Sequence, residues 1–169
     1  LIYDDEPVNM YAEIKNFSHE GDGDFTQDIF LLNTFTSIES ITYKMDGMVY
    51  FNKANIETKF DIEIDNPNAK YTFKENSFRI NEFELAFDGW VAIPKNDVEL
   101  DVSFQTNKPD FKSLLSLVPA VYLTDFVDVK TEGKVAFNGS VKGAYGADGS
   151  LPAFDVNLLV ENAMFKYPD

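Results

Sequence analysis

The residues with chemical potential in this chain gather around its single histidine. His19 sits in Ser18-His19-Glu20-Gly21-Asp22-Gly23-Asp24, and Glu20, Asp22, Asp24 and Asp28 place four carboxylates close by. A histidine beside a carboxylate has the composition of a general base. Closely spaced carboxylates are the hard oxygen ligands that calcium takes. Neither pattern is completed. No Gly-x-Ser-x-Gly elbow or other nucleophile signature accompanies His19, and the Asp-x-Asp-x-Asp-Gly order of a calcium loop is missing. These residues read as a Gly-Asp turn between strands that carries a solvated loop histidine. Asp61 and Glu63 form another carboxylate pair, but two apart on one strand they share its outward face, whereas glycosidic chemistry needs carboxyls facing each other across a bond. No phosphate-binding glycine loop, zinc spacing or dinucleotide fingerprint is present. With no cysteine, thiolate catalysis and thiolate metal sites are excluded. The expectation is a chain with no catalytic residues, no metal and no cofactor.

The 169 residues suffice for one domain with a real core. Against 14 basic residues stand 29 acidic ones, a net charge of -15 that repels nucleic acid phosphates at long range. No run of about 20 apolar residues is present to span a bilayer. The chain opens at Leu1 without an initiator Met and is expected to be a piece of a larger protein, with any membrane anchor outside it. Aromatic content is high, with 16 Phe and 8 Tyr able to supply a sheet face or line a groove.

The elements that must position these side chains are strands. From Asn55 to Asp65, Ile56, Thr58, Phe60, Ile62 and Ile64 alternate without a break with Glu57, Lys59, Asp61, Glu63 and Asp65. Only an extended strand gives such a segment one apolar and one charged face. The same rhythm predicts strands at Val8 to Phe17, Phe25 to Thr36, Ile41 to Phe51, Ala69 to Lys74, Ser77 to Phe87, Gly89 to Pro94, Val98 to Thr106, Val129 to Gly143 and Pro152 to Phe165. Between them lie the breakers Gly21-Asp22-Gly23-Asp24, Asn66-Pro67-Asn68, Lys74-Glu75-Asn76, Lys95-Asn96-Asp97 and Gly146-Ala147-Asp148-Gly149, connections short enough to demand antiparallel neighbours. Apolar parity slips between Ile80 and Phe83, which either a bulge or a tight turn at Asn81-Glu82 explains. Gly133, Gly139 and Gly143 share one face of their strand, leaving room for a ring or backbone, or for a sharp bend.

One segment departs from the two-residue rhythm. Phe111, Leu114, Leu115, Val118 and Tyr122 recur at helical spacing between Asp110 and Asp125, with Asp110 placed to cap the first turn. Pro119 cannot donate to the carbonyl of Leu115, so the helix should kink or split there. The fold class expected is therefore mainly all-β: a curved antiparallel meander forming a trough or open barrel-like groove, with one short Pro-kinked amphipathic helix near 110–125 lying on its apolar face.

The order of motifs resembles the AsmA family of bacterial envelope proteins, in the versions found in Bacteroidetes-type bacteria. The resemblance is carried by Tyr71-Thr72-Phe73-Lys74-Glu75-Asn76, Leu85-Ala86-Phe87-Asp88-Gly89, Phe111-Lys112-Ser113-Leu114-Leu115-Ser116-Leu117-Val118-Pro119-Ala120, the Gly133 to Gly143 strand, Leu151-Pro152-Ala153-Phe154 and Phe165-Lys166-Tyr167-Pro168. It spans roughly Ile41 to the end, and more faintly the Gly-Asp-Gly-Asp-Phe segment before it. It implies a single β-groove domain over residues 1–169, part of a protein anchored in the inner membrane with its body in the periplasm. It implies as well an apolar interior that guides phospholipid between membranes, and links to outer-membrane biogenesis. The family has no catalytic residues to carry over.

The reading that follows is a non-enzymatic segment shielding lipid acyl chains. Its apolar face would be built from Ile56, Phe60, Ile62, Ile64, Phe83, Leu85 and Phe87, with Phe111, Leu114, Leu115 and Val118 of the helix packed over part of it. Its partners would be phospholipid, a membrane reached through other parts of the parent, and an envelope protein not specified by the residues. Two other readings compete: an assembly module whose helix fills the trough and whose acidic face docks a partner, and a carbohydrate- or peptide-binding β-sandwich presenting Trp90 and Tyr145.

Overall fold

The computed structural model describes residues 1–95, 97–119, 130–146 and 149–166. Its nine strands form one sheet in strict sequence order, every neighbouring pair antiparallel. They are β1 (Ile2–Asp5), β2 (Met10–Asp22), β3 (Ile29–Met45), β4 (Met48–Asp65), β5 (Lys70–Ile80), β6 (Phe83–Ala92), β7 (Val98–Thr106), β8 (Lys130–Tyr145) and β9 (Ala153–Lys166). The result is the expected mainly all-β meander, a curved open trough with a single short α-helix among the described residues. Each connection joins nearest neighbours, by short loops everywhere except between β7 and β8, where residues 107–129 include the helix.

The strands are longer than the residue pattern suggests. β3 runs unbroken through the gap left between Phe25–Thr36 and Ile41–Phe51, and the true turn is Asp46-Gly47, both at positive φ (51° and 79°). Such a two-residue turn matches the twist of a hairpin. Lys74-Glu75-Asn76 is likewise no turn: β5 passes through it, with Glu75 at φ 53° and the pairing to β4 shifting between Lys59 and Asp61. Asp88-Gly89 lies inside β6, and Gly21-Asp22 inside β2. Asn81-Glu82 is a tight turn, since Ile80 and Phe83 pair directly across it. A short β1 covers only the first part of β2, from Met10 to Glu13.

The bulge at Glu75 has a plug. Asn76, 2% exposed, is the most deeply buried large side chain described. Its Oδ1 accepts from the Asp61 backbone N-H at 2.8 Å and its Nδ2 donates to the Asp61 carbonyl at 3.4 Å. A side-chain amide thus replaces the backbone partner that the bulge removes, and no buried donor is stranded. On β8, Gly139 makes room of another kind. A Cβ there would meet the Asp155 carbonyl at 2.3 Å and the Phe104 ring at 2.7 Å, so the ring lies over the bare backbone. Gly133, at φ 107°, sits where the β8–β9 register shifts between Glu132 and Lys134. Both uses anticipated for this glycine face occur, at different positions.

Among the described residues the helical segment stops before Pro119, the position where a break is expected. α1 spans Phe111–Leu115, is followed by a turn through Val118 and ends before Pro119; Tyr122 and the rest of the expected helix to Asp125 lie outside the described residues. Asp110 caps it, accepting from the Ser113 N-H at 2.7 Å and from the Ser113 hydroxyl at 2.6 Å. The helix rests against β8 and β6.

The two faces of β4 should respond oppositely to mutation. Ile62 lies between Leu32 and Phe73 in register, whereas Glu63 forms an exposed pair with Lys74 at 2.6 Å. Ile62→Asp is expected to cost about 2–3 kcal/mol and Glu63→Ala less than about 0.5 kcal/mol. Equal urea midpoints for the two variants would contradict the face assignment.

Candidate functional site

Strand register assembles one continuous apolar face. Antiparallel partners point to the same side, so side chains join into rows across the sheet. One row reads Phe17, Ile38, Ile56, Ile80 and Phe83. Another reads Leu32, Ile62, Phe73, Gly89, Val102, Val141 and Phe154. A third passes Asn76, Phe87, Phe104, Gly139 and Val156. Phe87 meets both Phe60 and Phe73 edge-on, with ring centroids 5.6 Å apart in each case, and Phe104 lies 5.1 Å from Phe137. Bulges keep the face continuous: parity changes from odd (Tyr71, Phe73) to even (Phe78, Ile80) across Glu75, yet all four pair with the same side of β6 or β4.

Ile56, Phe60, Ile62, Ile64, Phe83, Leu85 and Phe87 all occupy this face, each partly covered by its neighbours. Phe73, Phe78, Phe104, Phe137, Val156 and Leu158 belong to it as well and were not singled out from sequence. Their signal was present, since apolar residues alternate in each of their strands, but their face follows only from the register. Among the described residues the fully buried apolar side chains are Ala54, Ala92 and Val135 alone, while Phe154, Val156, Leu158 and Val160 of β9 are exposed. Among the described residues no second layer covers the face.

The helix covers one corner. Leu114 borders a cavity of about 200 Å³ with Phe83, Val135, Phe137 and Leu158. Leu115 and, beyond the helix, Val118 line a second recess with Tyr50, Phe51 and Ala54. Phe111 is half-buried, and Leu114 and Val118 are each 37% exposed, so the helix drapes over the trough's end without filling it. It is tethered at its far end, where the Asn81 side chain donates to the Ser116 carbonyl at 2.6 Å and the Glu82 N-H donates to the Ser116 hydroxyl at 3.1 Å.

From β2 to β9 the charged strand residues lie on the other face. Lys74–Glu63 and Lys142–Asp101, both at 2.6 Å, and Arg79–Glu57 at 2.5 Å are solvent-facing pairs that contribute little to stability. Trp90 is on that face too, with the Lys70 ammonium 4.7 Å from its ring; Tyr145 is exposed near the end of β8. All described strands share one sheet, so the two-sheet sandwich is not formed.

His19 is not in a loop. It belongs to β2, opposite Thr36, on the apolar face, with its Nδ1 2.9 Å from the Thr36 hydroxyl. The loop begins later, where the Asp24 carboxylate accepts from the Thr26 hydroxyl (2.6 Å) and N-H (3.1 Å). The hydrogen bond from the Thr26 hydroxyl, above all, holds Asp24 below the usual carboxylate range. Among the described residues no group of three or more His, Asp or Glu is arranged to hold a metal ion. No helix among them is long and apolar enough to cross a membrane.

Asp110 ties the helix to pH. Foremost the hydrogen bond from the Ser113 hydroxyl, then that from its N-H and the charges of Lys108 and Lys112, hold its carboxyl below the usual range against the opposing effect of burial. A pKa lowered by folding adds stability above the unfolded value of 3.8, and that contribution is lost as pH falls through the folded value. Amide exchange protection at Ser113 should hold from pH 7 down to about 4 and decline below it. Asp110→Ala should lose it already at neutral pH, at a cost of about 1 kcal/mol. Wild-type protection in that variant would refute the role of the cap.

No family model, curated protein or solved structure matches this chain. Its function is therefore argued from the arrangement of its own residues.

Proposed function

We propose that this chain is a non-enzymatic segment of a cell-envelope protein that shields lipid acyl chains along its apolar face. One observation carries the reading: a single sheet presents a predominantly apolar face from β2 to β9, and among the described residues only the helical segment at one end covers any of it. A globular domain normally buries such a face against a second layer. Contiguous exposed apolar surface of this kind marks a surface for partner, lipid or ligand. Acyl chains suit it because the side chains that line it are aliphatic and aromatic, binding by area at about 25 cal/mol per Å² removed from water and not by directed hydrogen bonds.

The resemblance to the AsmA family points the same way and supplies the setting: a periplasmic body, a parent anchored in the inner membrane, and a part in moving phospholipid during outer-membrane biogenesis. The assembly-module reading requires a trough filled by the helix. The helix described reaches the corner formed by Phe83, Val135, Phe137 and Leu158 and the recess beside Tyr50, Phe51 and Ala54, and leaves Phe154, Val156 and Val160 of β9 exposed, which favours an open trough.

The test uses positions that are already exposed, so that binding and folding separate. Phe154 and Leu158 lie on the apolar face of β9, 77% and 65% exposed, and Leu159 lies on the opposite face, 48% exposed. Phe154→Asp with Leu158→Asp should keep the wild-type urea midpoint within about 1 kcal/mol yet bind pyrene-labelled fatty acid at least tenfold more weakly. Leu159→Asp should bind as the wild type does. A wild-type chain that takes up no labelled lipid, or a wild type and two variants that all bind alike, would overturn the proposal.

A further inference from the structure

The apolar face carries almost no ionisable chemistry. From Met10 on β2 to Val160 on β9, the strand positions on this face hold no Asp, Glu, Lys or Arg, although the chain has 29 acidic and 14 basic residues. Phenols apart, its titratable side chain is His19, the chain's only histidine. His19 does not stand alone. Thr36 pairs with it across β2–β3, Thr58 pairs with Thr36 across β3–β4, and Thr34 is opposite Gly21, two residues along β2. One imidazole and three hydroxyls therefore gather at one place on this face, beside the open edge of β2, whereas Asn76 and Thr106 elsewhere on it are engaged by the backbone of Asp61 and Phe137.

The geometry leaves this group available to a ligand. The Thr36 hydroxyl engages Nδ1 of His19, which leaves Nε2 on the far side of the ring. Gly21 opens space there: a Cβ on it would sit 3.5 Å from Thr34 Cγ2 and 3.9 Å from His19 Nε2. His19 is exposed, and the row beside it, Phe17, Ile38 and Ile56, continues the apolar face without interruption. With Nδ1 paired to the Thr36 hydroxyl, Nε2 and the Thr34 and Thr58 hydroxyls offer hydrogen-bonding groups to a ligand with no fixed negative charge among them. That is the chemistry that receives phosphate oxygens.

We infer that His19, Thr34, Thr36 and Thr58 form a polar subsite for the phosphate of a lipid headgroup, whose acyl chains lie along the adjoining apolar rows. The inference rests on the acyl-shielding reading above and adds where the headgroup binds and which class it belongs to. The charge of -15 disfavours a net anion at long range, so a zwitterionic phosphodiester fits better than an acidic one. On the apolar face itself no carboxylate sits beside the phosphate.

Because His19 is the only histidine, its ring resonances report on the subsite without ambiguity. Dodecylphosphocholine, below its micellar concentration, is expected to shift them in the wild-type chain, and phosphocholine without a tail to shift them far less at equal concentration. His19→Ala and Thr58→Val should each weaken dodecylphosphocholine binding about tenfold, the scale of one hydrogen bond to a charged group. Diphenylhexatriene, which has no head, should bind all three proteins equally. Equal dodecylphosphocholine affinity in wild type and variants, with diphenylhexatriene still bound, would remove the subsite and leave the acyl-shielding reading standing. Equal shifts from phosphocholine alone would reassign the site to free phosphate esters and overturn the lipid assignment. A wild-type chain that binds neither amphiphile nor diphenylhexatriene would overturn both.

Discussion

The structure depends on one unmet demand: among the described residues, an antiparallel sheet with one apolar side has no second layer to bury it against. Each pair of neighbouring strands satisfies its backbone hydrogen bonds, and side chains cover one another along the rows, which is why most face residues are half-buried. Lateral contact between residues of one face cannot exclude water from above. Apolar surface that folding leaves wet is available to whatever apolar molecule arrives, and the strength of that attraction scales with area.

Continuity of the face is an achievement of the bulges. A strand that slipped register by one residue would turn its apolar set outward. At Glu75 and Asn162 a residue at positive φ absorbs one position, and the alternation resumes on the correct side. The same device adds twist and bends the strand, so the features that keep the face apolar also curve it into a trough. Asn76 shows the local cost: an amide side chain must enter the apolar face to supply the hydrogen bonds that the bulge takes away.

Charge separation complements this arrangement. With the carboxylates on the outer side, the strong negative charge discourages copies of the chain from associating through their free edges, a hazard for a long open sheet with an apolar edge strand such as β9. It also leaves the strand positions of the apolar face from β2 to β9 free of fixed charge. Against that background the His19, Thr36 and Thr58 row is conspicuous, because threonine hydroxyls and an imidazole occupy positions that Val or Ile would fill in a face built for apolar contact alone.

Sequence by itself determined that the protein is built of amphipathic antiparallel strands, because period-two alternation is a property of each strand taken singly. It also determined the turn at Asn66-Pro67-Asn68 and the start of the helix at Asp110, where the side chain's own hydrogen bonds define the structure. The seven residues chosen for the apolar face from β4 and β6 were legible for the same reason. Only the tertiary structure decided whether Lys74-Glu75-Asn76, Asp88-Gly89 and Gly21-Asp22 end a strand or bend it, since the same residue types serve in turns and in bulges. The choice rests on whether a partner strand continues alongside. His19 was misplaced on the same account: polar neighbours and two glycines imitate a loop, and it took pairing with Thr36 to extend β2 through them and set the imidazole on the apolar face. Whether that face would be covered was beyond local sequence altogether, because it depends on whether a second layer packs on it, and a layer is made of contacts between residues far apart in the chain.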